Sequence, residues 1–312
     1  VEQFCASKKI KVSRIDLTLP LTDDEIVARV ESFVDSRGQR QLEHSNGVKL
    51  AIVDAITSVP GVRLPFERIT HAFQTRGIRV FIDGAHAAGQ IRLKINPSSA
   101  TTDGDSAESF NPDYLAVDLH KWYQSPRGTC FFYIRREHHH DIRNVLFTAK
   151  NAYNSLPNHD SSSSPPASLL ETMFWPGSND YSNLITAVIA KKWRQHVSDS
   201  TASTSTNLID YIHDLAVKGG DHVAKALGTN LLQVSESQIA AMVNIRLPLP
   251  SGFTKDSPDL DKTMLSIQSH LRSKDRILVR TFKYNGDWYV RLCAQVYNKL
   301  EDFEHAAIAL CE

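Results

Sequence analysis

The sequence predicts an α/β fold with a mostly parallel central sheet flanked by helices, followed by a smaller C-terminal α+β domain. Short runs rich in β-branched residues alternate with helical patterns over the first two thirds of the chain. Two of these runs, VKLAIV and IRVFID, carry few charges, as strands do when helices cover both faces of a parallel sheet. Beyond residue 205 the order of helices and strands changes. We therefore divide the chain into a large domain, 1–205, and a small domain, 206–312.

The first predicted elements are a strand and a helix. The run KIKVSRIDL (9–17) is rich in β-branched residues with polar residues interleaved, which predicts a strand. Thr22 and Glu25 have the spacing of a capping box, a signature of a helix start. Apolar residues including Ile26 and Val30 follow at helical spacing, so a helix is predicted directly after residue 22.

The remaining elements follow the same alternation. Strands are predicted within 48–57, 78–83, 113–118 and 129–136, with a helix near 66–76. The small domain should contain helices at 208–226, 259–272 and from 300 onward, with strands within 240–250, 277–282 and 288–295. Two polar stretches, 154–168 and 198–207, predict a flexible surface loop and a linker between the domains.

Composition excludes several classes of protein. Lys plus Arg and Asp plus Glu each number 35, so the net charge of zero argues against a broad nucleic-acid interface. No apolar run approaches the roughly 20 residues of a membrane-spanning helix. The four cysteines lie far apart and the N-terminal residues lack a signal-peptide pattern, which favours a reducing compartment. We expect a cytoplasmic protein.

The segment VFIDGAHAAGQ (80–90) places an acid where α/β proteins bind ligands. Asp83 ends a buried strand, and the carboxyl ends of parallel strands border the ligand crevice. Gly84 follows and lets another group approach the backbone closely. Asp83 is therefore a candidate partner for a ligand cation, a metal or a ribose hydroxyl, or it caps the next turn. The glycine pattern is not GxGxxG, so a dinucleotide site has little support.

The segment AVDLHKWYQSPRG (116–128) supplies a lysine just past the end of the next strand. His120 and Trp122 flank Lys121, and semi-buried aromatic surroundings disfavour a charged amine. A neutral amine can form a Schiff base with a carbonyl cofactor. Pyridoxal phosphate needs both an amine for its aldehyde and an acid that keeps its ring nitrogen protonated. Lys121 and Asp83 together match that requirement, although a surface lysine is the simpler explanation for Lys121 alone.

These two segments resemble the class V aminotransferases, which are pyridoxal-phosphate-dependent enzymes of fold type I. DAITSVPGVRLP (54–65), MFWPGSNDYSN (173–183) and WYVRLCAQVYNKLEDF (288–303) also match this family, in the correct order. The resemblance is strongest to the branch of isopenicillin N epimerase-like proteins and cysteine C–S lyases, including desulfhydrases and the lyase of ergothioneine synthesis. It implies pyridoxal 5'-phosphate as cofactor, a small sulfur-containing amino acid as substrate, and β-elimination as the reaction.

The resemblance also implies a role for individual residues. Lys121 would form the Schiff base and move the Cα proton, Asp83 would pair with the pyridinium nitrogen, and His86 would lie near the ring hydroxyl. His120 would contact the phosphate, and Ser58 would lie near the ring oxygen. Ser178 would reach the phosphate of a neighbouring subunit, which implies a homodimer with shared active sites. Arg291 would hold the substrate α-carboxylate in a bidentate pair.

Simpler interpretations compete with these roles. His86 would also suit a polar core position, Ser58 and Ser178 would also suit turns, and Arg291 alternates with apolar residues on a strand that could face solvent. Arg127 is predicted to be structural.

Two further features do not indicate chemistry. The run 138–141, three histidines and an aspartate, has consecutive side chains that point in different directions, so a metal site is not expected. Cys293 lies in a predicted strand rather than a mobile loop, which disfavours a sulfur-transferring desulfurase.

Two departures from the family pattern affect what the chain is expected to do. Residues 1–46 contain no equivalent of the family's phosphate-binding helix start, and the sequence begins at Val1, so we expect an N-terminally truncated chain. Asp118 stands where relatives usually have a neutral polar residue. The alternatives to a C–S lyase are therefore an epimerase or a catalytically inactive homologue that acts as a binding protein.

Overall fold

The computed structural model describes residues 1–41, 47–95, 110–142, 177–178, 180–200 and 207–312. The helices are α1 (Glu2–Ser7), α2 (Asp23–Gln41), α3 (Phe66–Gln74), α4 (Leu119–Trp122), α5 (Ser182–Ser200), α6 (Leu208–Ala226), α7 (Leu260–Lys274) and α8 (Leu300–Cys311). The strands are β1 (Leu50–Asp54), β2 (Ile56–Thr57), β3 (Val62–Arg63), β4 (Arg79–Asp83), β5 (Tyr114–Asp118), β6 (Cys130–Ile134), β7 (Met242–Arg246), β8 (Arg280–Tyr284) and β9 (Asp287–Cys293).

The larger part of the protein is built on a four-stranded sheet in the order β1-β4-β5-β6. Strands β1, β4 and β5 are parallel, and β6 runs antiparallel to β5. Val80, Ile82 and Leu115 are fully buried at its centre, where α3 packs against the sheet. A mostly parallel sheet, with α3 in the crossover from β1 to β4, confirms the predicted fold class.

The N-terminal region contains one confirmed and one wrong prediction. Thr22 and Glu25 form the predicted capping box, with the Thr22 amide donating to the Glu25 carboxylate at 2.7 Å and the Glu25 amide donating to the Thr22 hydroxyl at 3.3 Å. Residues 9–17 are not a strand. Ile15 and Leu17 pack on the core, but Ile10 and Val12 are exposed and no described strand pairs with this segment. Without a partner, β propensity alone does not produce a strand.

The expectation that helices cover both faces of the two charge-poor strands is not met at β1 within the described residues, and the edge strand β6, to which the expectation did not apply, also has exposed apolar side chains. On the edge strand β1, Leu50 and Ile52 are exposed. On the opposite edge strand β6, Phe131 and Phe132 are exposed as well. Apolar side chains of each edge strand are therefore accessible in the part of the chain that the structure describes.

The C-terminal part matches its predicted order of elements. Its sheet has the order β7-β9-β8 with antiparallel pairing, and α6 packs on β7 and α8. The predicted domain boundary at residue 205 and the predicted loop 154–168 lie outside the described residues. The boundary therefore stays a prediction.

The two parts are joined by buried side-chain amides. Asn244 exchanges two hydrogen bonds of 2.9 Å with the backbone of Gly61. Gln90 accepts a hydrogen bond of 2.9 Å from the amide of Ala241. Gln238 donates to the carbonyl of Leu21 at 3.0 Å. These contacts fix the C-terminal part against three separate segments of the larger part.

The histidine run at 138–141 has a structural contact. The ring of His138 is buried, and its Nε2 lies 2.6 Å from the carboxylate of Asp113. His140 and Asp141 pair with each other at the surface. Over the described ranges, no three potential metal-binding side chains cluster together, and no helix is long and apolar enough to cross a membrane.

Candidate functional site

The candidate site lies at the carboxyl edge of the large sheet. The parallel register aligns Asp54 with Asp83, so the last residues of β1 and β4 are neighbours. Strand β5 ends nearby at Asp118 and leads directly into α4, which carries Lys121. This is the edge at which open α/β sheets bind ligands.

Asp83 is held in place by the turn that follows β4. Its Oδ1 accepts the amide of Ala85 at 3.0 Å, and the amide of Gly84 donates to the carbonyl of Ala116 on β5 at 2.7 Å. A Cβ at Gly84 would lie 2.8 Å from the side chain of Leu115. The glycine is therefore required for the close approach of β4 and β5, as the sequence predicts.

Lys121 forms an ion pair within its own short helix. Its Nζ lies 2.9 Å from Oδ2 of Asp118, and each side chain is about one third exposed, at 34% and 28%. The ring of His120 lies between Asp118 and Thr129, with Nδ1 3.3 Å from the Thr129 carbonyl and Nε2 4.0 Å from Asp118. Asp118, the residue that departs from the family pattern, is therefore the group that holds the amine.

His86 lies at the centre of the charged residues. Burial lowers the pKa of His86 to about 4, and the positive charges of Lys121 and Arg291 act in the same direction. Asp83 and Asp118 act in the opposite direction. All four charges act on this one imidazole, and the indole of Trp122, the residue after Lys121, is hydrogen-bonded to it.

Arg291 and Ser58 contact each other although 233 residues separate them in the sequence. The Nη1 of Arg291 donates to the carbonyl of Ser58 at 2.5 Å and to its hydroxyl at 3.2 Å. The Nε of Arg291 is buried and has no hydrogen-bond partner among the described residues. Ser58 thus orients Arg291, a contact that the sequence did not predict. Its role near a ring oxygen stays a prediction.

Ser178 is not brought to this crevice by any described contact. It lies in an exposed segment before α5, and no hydrogen bond in the described ranges joins it to the other six predicted residues. Arg127, predicted to be structural, accepts a hydrogen bond from Asn183 through its carbonyl at 3.2 Å. Cys293 is the last residue of β9, on a strand as predicted.

Sequence reasoning missed an arginine that supports the lysine-bearing helix. Arg194 is buried and donates to the Trp122 carbonyl at 3.2 Å, to Gln124 at 2.6 Å and to the Gly89 carbonyl at 3.3 Å. Its guanidinium also lies 5.1 Å from the ring centre of Tyr123. Burial lowers the pKa of Arg194. A lone arginine within the helical pattern of α5 gave no signal of this role.

Two further residues of the site were also missed. The sequence predicts Trp122 only as an aromatic neighbour of Lys121. In the structure its indole N–H donates to Nδ1 of His86 at 3.1 Å. Asp54 adds a second carboxylate beside Asp83, and partial burial together with repulsion from Asp83 raises the pKa of Asp54. The available signal was that Asp54 follows the charge-poor run VKLAIV, just as Asp83 ends the charge-poor run IRVFID.

The residues present fit pyridoxal phosphate. This edge of the sheet carries a lysine amine, an aspartate and a neutral histidine, and the arginine that acts on the same histidine offers a guanidinium of the kind that binds carboxylates. The cofactor would therefore be held by Lys121 and Asp83, with His86 beside its ring.

Comparison with known proteins gives matches along nearly the whole chain. No family model matches the sequence. The L-cysteine desulfhydrase-like protein lolT1 of Epichloe uncinata is 28% identical over 99% of this chain and 70% of its own length. A cysteine desulfurase of Thermococcus onnurineus superposes with a TM-score of 0.67 at 16% identity, covering 99% of this chain and 67% of its own. A cystine C–S lyase in complex with cysteine persulfide gives a TM-score of 0.65 at 17% identity, covering 100% and 71%.

These matches confirm the resemblance and the fold class predicted from the sequence. The fold is that of the class V aminotransferase-like, pyridoxal-phosphate-dependent enzymes of fold type I. The predicted cofactor and the predicted enzyme class agree with this fold.

Proposed function

We propose that this protein is a pyridoxal-phosphate-dependent C–S lyase that acts on cysteine or a related sulfur-containing amino acid. The observation that carries the proposal is that neighbouring parallel strands bring Asp83 and Lys121 to one edge of the sheet, where Trp122, next to Lys121, is hydrogen-bonded to His86. The relative of Epichloe uncinata, named an L-cysteine desulfhydrase-like protein, supports cysteine as the substrate class, and the cystine C–S lyase supports the reaction.

The cofactor, when bound, supplies an aldehyde that reacts with amines and a ring that withdraws electrons from the substrate Cα. Lys121 would supply the amine that holds the cofactor aldehyde, and the same amine could take the proton from Cα. Asp83 would hold the ring nitrogen and favour its protonated form. Arg291, oriented by Ser58, would bind the α-carboxylate of the substrate through its guanidinium.

The reaction breaks the bond between Cβ and sulfur, and the electron pair leaves on sulfur. With cysteine and one water, the balanced products are hydrogen sulfide, pyruvate and ammonia. Cys293 does not suit the acceptance of sulfur, because it is fixed in the β7–β9 pairing opposite Met242. A lyase that releases sulfur therefore fits this chain better than a desulfurase that transfers it.

Two finer properties belong to the same proposal. In a homodimer, Ser178 would reach the cofactor phosphate held by the neighbouring subunit. Within its own chain, no described contact joins Ser178 to the candidate site. A cytoplasmic location would keep the four cysteines reduced. Sedimentation of the purified protein with and without cofactor tests the first property.

The main test is attachment of the cofactor followed by an assay of turnover. Reduction with borohydride should fix pyridoxal phosphate on Lys121, which peptide mass spectrometry would locate. Incubation with L-cysteine should then give pyruvate and sulfide in equal amounts. Lys121→Ala should abolish both results, whereas Lys218→Ala, an exposed lysine that pairs with Asp214 on α6, should leave both unchanged.

Other results would contradict the proposal. Attachment of the cofactor at other lysines with none at Lys121 would refute the site. Attachment at Lys121 with racemised amino acid and no pyruvate would refute the lyase reaction and favour an epimerase.

A further inference from the structure

The ring of His86 has one nitrogen committed to the protein. Its Nδ1 lies 3.1 Å from the indole Nε1 of Trp122. An indole nitrogen only donates hydrogen bonds, so Nδ1 must act as the acceptor and cannot carry a proton. In a neutral imidazole the single proton then belongs to Nε2. Trp122 is 6% exposed, so little water competes for this contact.

Burial, more than the surrounding charges, keeps the ring of His86 neutral. Burial, Lys121 and Arg291 lower its pKa to about 4 against the opposing effect of Asp83 and Asp118. At neutral pH the ring is therefore uncharged, with an acceptor facing Trp122 and an N–H donor at Nε2. Among the described residues, no protein group is hydrogen-bonded to that Nε2.

The backbone carbonyl of Trp122 is held by three neighbouring residues. Its carbonyl accepts hydrogen bonds from Arg194 at 3.2 Å and from Gln124 at 2.9 Å. Gly89, with φ of +93°, approaches so closely that a Cβ there would lie 2.2 Å from the same carbonyl. Trp122 also follows Lys121 directly on α4, so the histidine is tied to the element that carries the amine.

We propose that Trp122 is a positioning residue that fixes His86 as its Nε2–H tautomer, so that His86 presents a hydrogen-bond donor, and not a base, to the ligand. This inference rests on the proposed function only for the identity of the ligand group, an anionic ring oxygen of the cofactor. The tautomer itself is a property of the protein without cofactor. Its test therefore does not depend on whether the cofactor binds or the reaction occurs.

The first measurement uses the unmodified protein without cofactor. In deuterated, ¹⁵N-labelled protein, a coupling across the hydrogen bond should connect the Trp122 indole nitrogen with Nδ1 of His86, identified by its loss in His86→Gln. Trp288 is the internal control, since it is also buried but its indole nitrogen has no hydrogen-bond partner among the described residues. A proton found on Nδ1 of His86 at neutral pH would overturn the proposal.

The second measurement removes the donor. A hydrogen bond to the neutral ring disfavours protonation, so Trp122→Phe should raise the pKa of His86 by about 0.5 to 1. Trp288→Phe, which removes a buried indole from the C-terminal core, should leave that pKa unchanged. Benzothienylalanine at position 122 keeps the bicyclic shape and replaces N–H by sulfur, so it should raise the pKa without opening a cavity. An unchanged pKa in both position-122 variants would refute the role of the indole N–H.

Discussion

Lys121 is held by Asp118 across one turn of α4, through an ion pair of 2.9 Å between Nζ and Oδ2. The pair is about one third exposed, so water screens it partly. Before the amine can attack an aldehyde, it must leave the carboxylate. We therefore expect Asp118 to slow the attachment of a carbonyl cofactor.

Removal of the Asp118 charge should release the amine. Asp118→Asn should speed attachment of pyridoxal phosphate to Lys121 by about two- to fivefold, as expected for loss of a partly exposed ion pair. A time course of borohydride trapping measures the rate. Asp214→Asn is the matched control, because it removes a carboxylate that pairs with an exposed lysine on α6. A slower rate in Asp118→Asn would show that the carboxylate assists the amine.

At the scale of single elements, the short helix α4 depends on its neighbour Gly89. The carbonyl of Trp122 lies where a Cβ of residue 89 would be, and the φ of +93° at Gly89 is itself unfavourable for other residues. The position of Lys121 thus depends on a glycine far earlier in the chain.

Gly89→Ala should therefore lower the free energy of unfolding by about 3 kcal/mol or more, because both the backbone conformation and the contact are strained. Gly77→Ala is the control for conformation alone. Gly77 has φ of +70°, and a methyl group at this position would have no described atom within 4 Å, so its cost should be about 1 kcal/mol. Urea denaturation measures both. Equal losses in the two variants would show that the contact with Trp122 does not matter.

The amino end of strand β5 is fixed by a buried carboxylate. Asp113 accepts hydrogen bonds from the Val80 amide at 2.8 Å, Gln74 at 2.9 Å and His138 at 2.6 Å. Burial alone would raise the pKa of Asp113, but these hydrogen bonds and the charge of Arg135 lower it below its usual value. A carboxyl group of this kind stabilises the fold when it is ionised.

Asp113→Asn should lower the free energy of unfolding by about 2–4 kcal/mol at neutral pH. The pKa of Asp113 is lower in the folded protein than its unfolded value of about 3.9. The difference in free energy of unfolding between wild type and variant is therefore complete above that unfolded value, and it is lost as the pH falls through the folded pKa. Asp141→Asn, which breaks the exposed pair with Arg79, should cost less than about 1 kcal/mol. Urea denaturation at neutral pH and below pH of about 4 tests this, and a constant difference would contradict it.

At the scale of the whole molecule, the site needs both parts of the chain. Lys121, Asp83 and His86 come from the large sheet and the segments that follow its strands, whereas Arg291 comes from β9 of the C-terminal sheet. The buried side-chain amides of Asn244, Gln90 and Gln238 fix the position of one part relative to the other. Loss of one of them should therefore disturb stability and the geometry of the site together.

Asn244→Ala should leave the amide and the carbonyl of Gly61 without partners and cost about 2–4 kcal/mol. Unfolding followed by fluorescence and by circular dichroism should coincide in the wild type and separate in the variant, because the parts are uncoupled. Asn183→Ala, which removes one exposed hydrogen bond to Arg127, should cost less than about 1 kcal/mol. Coincident transitions in Asn244→Ala would refute the coupling role.

The sequence by itself predicted the four strands of the large sheet and the residues that end two of them, Asp83 and Asp118, whereas β1 and β6 end before the predicted residues 57 and 136. Asp83 and Lys121 could be predicted to lie at the same edge of the sheet, because parallel strands gather their carboxyl ends there. The order of elements in the C-terminal part followed from local periodicity, which the sequence contains directly. The strand predicted at 9–17 failed because pairing needs a partner that local pattern does not specify.

Only the tertiary structure decided how the side chains of the site are paired. The contact of Ser58 with Arg291 and the support of Trp122 by Arg194 join residues 233 and 72 positions apart. The neutral state of His86 depends on burial and on charges from three separate segments. Such properties arise from distances across the fold, and a pattern read along the chain contains no measure of them.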